Sequence, residues 1–155
     1  RGLARELPGR RVVQLEHIDA PIVGETITGV RRYGKFILLD FPTGILFVHL
    51  GMTGQLTLSE ETSKFTRARL LLDAGVLRYD DIRKFGKVYW DQTLPARGPD
   101  PLEMDAAAFA AHAKARRARI KPLLLDQRFL RGMGNIYCDE SLFRAGIHPL
   151  ANAAK

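Results

Sequence analysis

Lys121, Gly132, Gly134 and Asn135 are of the right kinds, and close enough along the chain, to hold an anion. Ile120-Lys121-Pro122-Leu123-Leu124-Leu125-Asp126-Gln127 reads as a helical stretch. Gly132-Met133-Gly134 reads as a glycine-rich turn, and Asn135-Ile136-Tyr137 as the start of a second helix capped by Asn135. The first N–H groups of a helix lack internal partners, and the helix dipole adds positive character at that end. Free amide groups, an amide side chain and a lysine around one spot form a phosphate site. A nucleic-acid backbone is the ligand that this combination fits.

Overall charge points the same way. Lys and Arg number 24 against 17 Asp and Glu, a formal net charge of +7 with a pI near 9.9, which favours a polyanionic partner. The cations gather at Arg31, Arg32 and Lys35, at Arg83, Lys84 and Lys87, and along Lys114 to Lys121. No apolar run nears the ~18 residues of a membrane span, so no membrane role is expected. No signal peptide is visible. The single cysteine, Cys138, excludes an internal disulfide and a four-cysteine zinc site, and fits a reducing compartment. The chain opens on Arg1 without Met and stops at Lys155 just after a helix, so it is expected to be a piece of a longer protein.

The elements that would position these groups fall into two halves. Thr26 to Phe41 carries a basic opening and then Phe36-Ile37-Leu38-Leu39, a run that fits a strand covered on both faces. Pro42-Thr43-Gly44 is a turn. Strands follow at Ile45 to Leu50 and Gln55 to Leu58. Arg67 to Asp73 and Val76 to Asp80 flank Ala74-Gly75 as a hairpin, and Lys87 to Trp90 gives another strand. Short, closely spaced strands predict an antiparallel sandwich. The proline-rich stretch Leu94 to Pro101 marks a linker. Beyond it the pattern turns helical: Asp105 caps Ala106 to Arg119, a short helix starts at Pro122, and the helix after Asn135 ends at Gly146. Ile136 with Phe143, and Cys138 with Leu142, are spaced to give that helix a packing face. The expected fold class is α+β, with a β-sandwich over 1–94, a linker over 95–103 and a helical domain over 104–155.

Two further loops carry unusual residues. His49-Leu50-Gly51-Met52-Thr53-Gly54 borders Met52 with glycines, and Asp81-Ile82-Arg83-Lys84-Phe85-Gly86 sets a phenylalanine among cations. Apolar side chains offered beside cations can enter a base stack while phosphates are held. Taken singly, Met52 and Phe85 read more readily as core residues at strand ends. Alternation along one strand would put Arg31, Tyr33 and Lys35 on a common face, either as a basic edge or as a solvated strand end. The run Lys114 to Arg119 is equally a wet helix face or a phosphate contact. His17, His49, His112 and His148 lack metal-ligand spacing and read as structural. Cys138 reads as a packed thiol. No nucleophile is evident, and Asp80-Asp81 would point apart along a strand.

These segments in their order resemble the formamidopyrimidine-DNA glycosylase family. The matching stretches are Arg31-Arg32-Tyr33-Gly34-Lys35-Phe36, the Met52 loop, the Asp81 to Gly86 loop, Gly98-Pro99-Asp100-Pro101-Leu102, and Ile120 through Pro149. The last resembles the family's helix–two-turn–helix motif and is the most specific. The resemblance implies base-excision repair, in which oxidised purines are flipped out, excised through a Schiff base and followed by β-elimination. Lys35 is implied as the catalytic lysine that contacts the lesion's phosphate. Met52, Arg83 and Phe85 are implied to fill the hole left by the extruded nucleotide, and Lys84, Lys121, Gly134 and Asn135 to contact DNA. The implied partner is double-stranded DNA carrying oxidised bases or abasic sites. The protein is expected to be monomeric, cytoplasmic and associated with a bacterial nucleoid.

Departures from the family pattern set further expectations. The family's N-terminal proline nucleophile and glutamate are not in this sequence, because Arg1 corresponds to about a dozen residues inside the usual start. Its four-cysteine zinc finger is missing too, so no metal or cofactor is expected in this chain, and the chain alone is expected to be a poor lyase. The stretch from Glu16 to Thr28 is short for the family, Ile82 and Lys84 depart from its usual Asp-Pro-Arg-Arg-Phe, and histidines common near Phe65 and Arg67 are missing. The rival readings are a catalytically silent damaged-DNA-binding module and an endonuclease VIII-like glycosylase for oxidised pyrimidines.

Overall fold

A computed structural model describes residues 2–154; Arg1 and Lys155 lie outside the described residues. The chain divides into two compact units, Arg1–Leu94 and Pro95–Lys155.

In the first unit a short helix α1 (Leu3–Glu6) precedes eight strands: β1 (Val12–Glu16), β2 (Gly29–Tyr33), β3 (Phe36–Phe41), β4 (Gly44–His49), β5 (Gly54–Leu58), β6 (Thr66–Leu72), β7 (Val76–Asp81) and β8 (Lys87–Asp91). They form two four-stranded sheets, ordered β1-β6-β7-β5 and β2-β3-β4-β8, and every pairing is antiparallel. Alternation decides what each sheet turns inward. Ala68, Leu70, Leu72, Leu77 and Tyr79 of one sheet share a core with Leu39, Phe41, Leu46 and Val48 of the other. Burying each large aliphatic there contributes about 1.5–3 kcal/mol. The strand expected to be covered on both faces is so covered: Leu39 joins this core, while Leu38, Ile45 and Phe47 form a second cluster with Tyr33, Phe36 and Tyr89. Phe47 and Tyr89 stack with centroids 4.9 Å apart.

The basic strand does not run through Lys35 as alternation predicted. Gly34 has φ 60°, and Tyr33 pairs directly with Phe36, so Gly34 and Lys35 are the two turn residues of a β2–β3 hairpin. A positive φ suits glycine and tight hairpins. Lys35 is therefore presented at a loop tip, not on a face with Arg31. Arg31 is engaged along the sheet, with Nε and a terminal nitrogen 2.7 and 2.9 Å from the Asp40 carboxylate oxygens. Asp80 and Asp81 do point apart: Asp80 faces Arg78 and Thr66, while Asp81 turns inward. β1, for which the sequence pattern raised no expectation, pairs with β6 through a bulge between Val12 and Gln14.

The second unit holds α2 (Ala106–Lys114), α3 (Ile120–Leu125) and α4 (Asn135–Arg144). Asp105 caps α2 as expected, its carboxylate accepting from the Ala108 N–H at 2.7 Å. The helix expected to reach Arg119 stops at Lys114. Ala153 N–H bonds the Ala118 carbonyl, Ile120 N–H bonds Ala151, and Arg119 bridges Asn152 in extended conformation. That tertiary pairing pulls residues 118–120 out of a helix that their propensity would continue. Arg116, Arg117 and Arg119 are thus exposed loop cations, not a helix face. The next helix begins at Ile120 rather than Pro122, which occupies its first turn, where a missing N–H costs nothing. Cys138 and Leu142 are buried in this unit's core with Ile120, Leu124 and Leu130. Ile136 and Phe143, expected to share in the packing face, are 77% and 84% exposed, because they lie on the opposite side of α4 from Cys138. Gly146, φ 65°, follows the end of α4 as expected.

Candidate nucleic-acid interface

Three loops at strand ends build the candidate site of the sandwich unit. The β4–β5 loop carries Met52, the β7–β8 loop carries Arg83, Lys84 and Phe85, and the β2–β3 turn carries Lys35. Met52 is 72% exposed and Phe85 54%, which overturns the core role that the bare residues invited. Singly exposed apolar side chains are ordinary, but these two sit together on either side of one cation. They are not loose. A terminal nitrogen of Arg83 lies 3.4 Å from the Met52 sulfur, and its guanidinium carbon sits 4.6 Å from the Phe85 ring centroid. Cation–π and sulfur contacts of this kind order the three side chains as one projection. Beside it, Arg32, Lys35, Phe36, His49, Met52 and Phe85 line an open cleft of about 510 Å³.

Close backbone contact joins the two larger loops. A Cβ on Gly51 would lie 2.7 Å from the Gly86 nitrogen and 2.9 Å from the Phe85 carbonyl carbon. Only glycine permits that approach. Lys84 takes φ 57°, uncommon outside glycine, and is exposed. Beneath the loops Asp81 is 1% exposed and accepts from Thr53 and from Gly86 N–H. Burial pushes its carboxyl up, but hydrogen bonds from Thr53, Gly86, Tyr79 and Arg83 N–H outweigh that and hold it below the usual value. Burial, with the Asp81 charge second, pushes the Tyr79 phenol up to about 12.

In the helical unit the phosphate-type geometry forms at the start of α4. Gly132 takes φ 93°, and Gly134 is extended. Gln127 braces the turn between them. Its amide nitrogen donates to the Leu125 and Met133 carbonyls at 3.1 and 3.0 Å, and its oxygen accepts from Gly132 N–H at 2.9 Å. The N-cap is Gly134, not Asn135; Asn135 is the first helical residue, so its exposed amide is released from capping and stays available to a ligand. Lys121 has a partner on the chain: its Nζ lies 2.6 Å from Asp139, one turn beyond Asn135. That hydrogen bond holds the Lys121 ammonium above its ordinary value, with burial opposing.

The structure thus gathers Lys35, Met52, Arg83, Lys84 and Phe85 in one unit, and Lys121, Gly134 and Asn135 in the other. Sequence reasoning missed Asp81, Thr53 and Gln127. Asp81 carried a signal: it continues the inward parity of Leu77 and Tyr79, and a carboxylate at a core position must be satisfied. Among the histidines, His112 stacks on Phe129 at 4.4 Å and His49 accepts from Gly51 N–H.

The model of the formamidopyrimidine-DNA glycosylase N-terminal domain matches residues 1–88, and that of the family's H2TH domain matches residues 97–155. The chain belongs to the formamidopyrimidine-DNA glycosylase family. It is similar to the formamidopyrimidine-DNA glycosylase of Solibacter usitatus, 48% identical over 86% of this chain and 53% of that protein. It is also similar in structure to the MutM (Fpg) protein of Thermus thermophilus, 35% identical, with a TM-score of 0.83 over 99% of this chain and 64% of the other. The Lactococcus lactis glycosylase bound to DNA containing an AP site superimposes with a TM-score of 0.84 at 29% identity, over 99% of this chain and 69% of that one. The chain spans about half the length of the Solibacter relative. Among the described residues no group of three or more His, Cys, Asp or Glu is placed to hold a metal ion, and Cys138 is a buried free thiol.

Proposed function

We propose that this chain is the DNA-gripping and void-filling part of a base-excision glycosylase and abasic-site lyase acting on oxidised purines in double-stranded DNA. The Met52–Arg83–Phe85 projection carries the reading. Extruding a damaged nucleotide leaves an unstacked hole and costs a few kcal/mol. A thioether, a planar cation and an aromatic ring, already touching one another, replace stacking and pairing in that hole without first being ordered. Lys35, at a loop tip on the adjoining cleft, supplies positive charge to the lesion's phosphate and to the phosphate that leaves in β-elimination. The α4 start, with Gly134, Asn135 and Lys121, supplies a second phosphate contact. The chemistry so supported draws on side chains and amines alone, without a dissociable cofactor. The purine reading is supported by structurally similar proteins that were solved with DNA containing 8-oxo-G or FAPY-dG. A monomer working on nucleoid DNA in the cytoplasm fits this role; none of the helices is long and apolar enough to cross a membrane, among the described residues.

The test is a pair of binding isotherms, on a duplex with a tetrahydrofuran abasic analogue and on its intact counterpart. The chain should prefer the abasic duplex by about tenfold or more, roughly 1.4 kcal/mol. Equal affinities would refute the reading. Lys121→Ala should weaken binding to both duplexes and flatten the log K against log salt plot by about one unit of slope, since one phosphate contact releases about one counterion. An unchanged slope would remove Lys121 from the phosphate site.

A further inference from the structure

One buried carboxylate lies under the projecting trio, and nothing in the proposed reaction uses it. Asp81 Oδ1 accepts from the Thr53 hydroxyl at 2.6 Å. Asp81 Oδ2 accepts from Gly86 N–H at 2.8 Å and from the Tyr79 hydroxyl at 3.2 Å. The Thr53 oxygen in turn accepts from Arg83 N–H at 3.1 Å. Tyr79 shares its single proton between Asp81 and the His49 carbonyl, 3.3 Å away at the end of β4. Residues 53, 83 and 86 are thus tied to one side chain, although 53 belongs to the Met52 loop and 83 and 86 to the Phe85 loop.

The direction of these bonds is fixed. An ionised carboxylate can only accept, so the Thr53 proton must point at Asp81, which leaves the Thr53 lone pairs facing Arg83 N–H. The chain of donors runs from Arg83 to Thr53 to Asp81. Without the hydroxyl, Arg83 N–H loses its Thr53 acceptor and one Asp81 oxygen its Thr53 donor. Because Asp81 is 1% exposed, water cannot readily replace the donor that its carboxylate loses.

We infer that Asp81 and Thr53 are positioning residues that lock the two loops in register, so that Met52, Arg83 and Phe85 meet the base stack as a preformed wedge. This rests on the void-filling reading. It assigns discrimination between lesion-bearing and intact DNA partly to a hydroxyl and a carboxylate that never touch the nucleic acid. Rigid presentation raises affinity by removing the ordering cost at the moment of binding.

The test compares Thr53→Val, Thr53→Ser and Asp81→Asn with the parent chain. The readouts are the ratio of abasic to intact duplex affinity, the fluorescence of 2-aminopurine placed opposite the abasic analogue, and amide exchange at Arg83 and Gly86. Thr53→Val should lower the ratio about tenfold, quench less of the insertion signal and speed exchange at Arg83. Thr53→Ser, which keeps the hydroxyl, should restore all three. Asp81→Asn cannot accept at both ends and should lower the ratio as well. A fall in thermal midpoint shared by Thr53→Val and Thr53→Ser, with the ratio unmoved, would reduce the pair to ordinary packing and overturn the inference. If Thr53→Val does not fold, an unchanged ratio in Asp81→Asn overturns it equally. If the parent chain itself shows no preference for abasic DNA, the void-filling reading fails and takes this inference with it. If the parent discriminates and the variants discriminate equally well, only the brace is wrong.

Discussion

Replacing Met52, Arg83 and Phe85 together with alanine is expected to erase the preference for abasic DNA while leaving most of the affinity for intact duplex. The three side chains project as one contact group, with Arg83 touching both neighbours. Stacking of a side chain against a base is worth about 1–3 kcal/mol, so losing the wedge should cost about 3 kcal/mol on the abasic duplex, or roughly 100-fold. Single replacements should not add to that total, because side chains in contact are coupled. Intact duplex needs no filling, so its affinity should drop only by the share of the Arg83 charge. Anisotropy titrations on the two duplexes decide the matter. A triple variant that keeps its discrimination within about threefold of the parent would show that the wedge does not enter the stack.

Gly86→Ala is expected to be the most damaging single methyl that could be added near the site. Its Cβ would fall 1.8 Å from the Tyr79 hydroxyl and 2.4 Å from the His49 carbonyl oxygen. Neither neighbour can retreat easily: Tyr79 is a core residue of β7, and His49 is paired to Lys87 along β4. Overpacking of this kind costs about 1–3 kcal/mol when the surroundings yield, and more when they are backbone. In a unit of this size that lowers the thermal midpoint by about 4–8 °C per kcal/mol. The Phe85 loop would also be pushed off Asp81, so discrimination should fall with stability. Thermal unfolding followed by tryptophan fluorescence measures the first effect. An unchanged midpoint would mean that the two loops are not clamped as tightly as their contacts imply.

Sequence pattern revealed the elements whose signals are local. Ala74-Gly75 between two alternating runs fixed a hairpin, Phe36 to Leu39 announced a doubly covered strand, and Asp105 marked the start of α2. Where distant residues decide, local reasoning failed. Nothing near Arg119 says that residues 151–153 will pair with 118–120 and cut α2 short. The glycine in Tyr33-Gly34-Lys35 was the one hint that Lys35 caps a hairpin instead of extending a strand. The site was legible as residue types in characteristic loops, and its exposed members stood out only through the family resemblance. The Asp81 brace stayed hidden because Thr53, its partner on the other loop, lies 28 residues away in sequence. Burial is what turns a routine aspartate into the hub of the loops, and burial is a property of the folded sheet.

The lone thiol and the lone indole fall in different units. Cys138 is wholly enclosed in the helical core, and Trp90 packs on the sandwich core beside Phe41 with ring centroids 6.0 Å apart. The protein therefore carries a built-in gauge for each half. Alkylation of Cys138 keeps time with the opening of the helices, while emission from Trp90 follows the melting of the strands, so whether the halves unfold as one can be read without attaching a label to either.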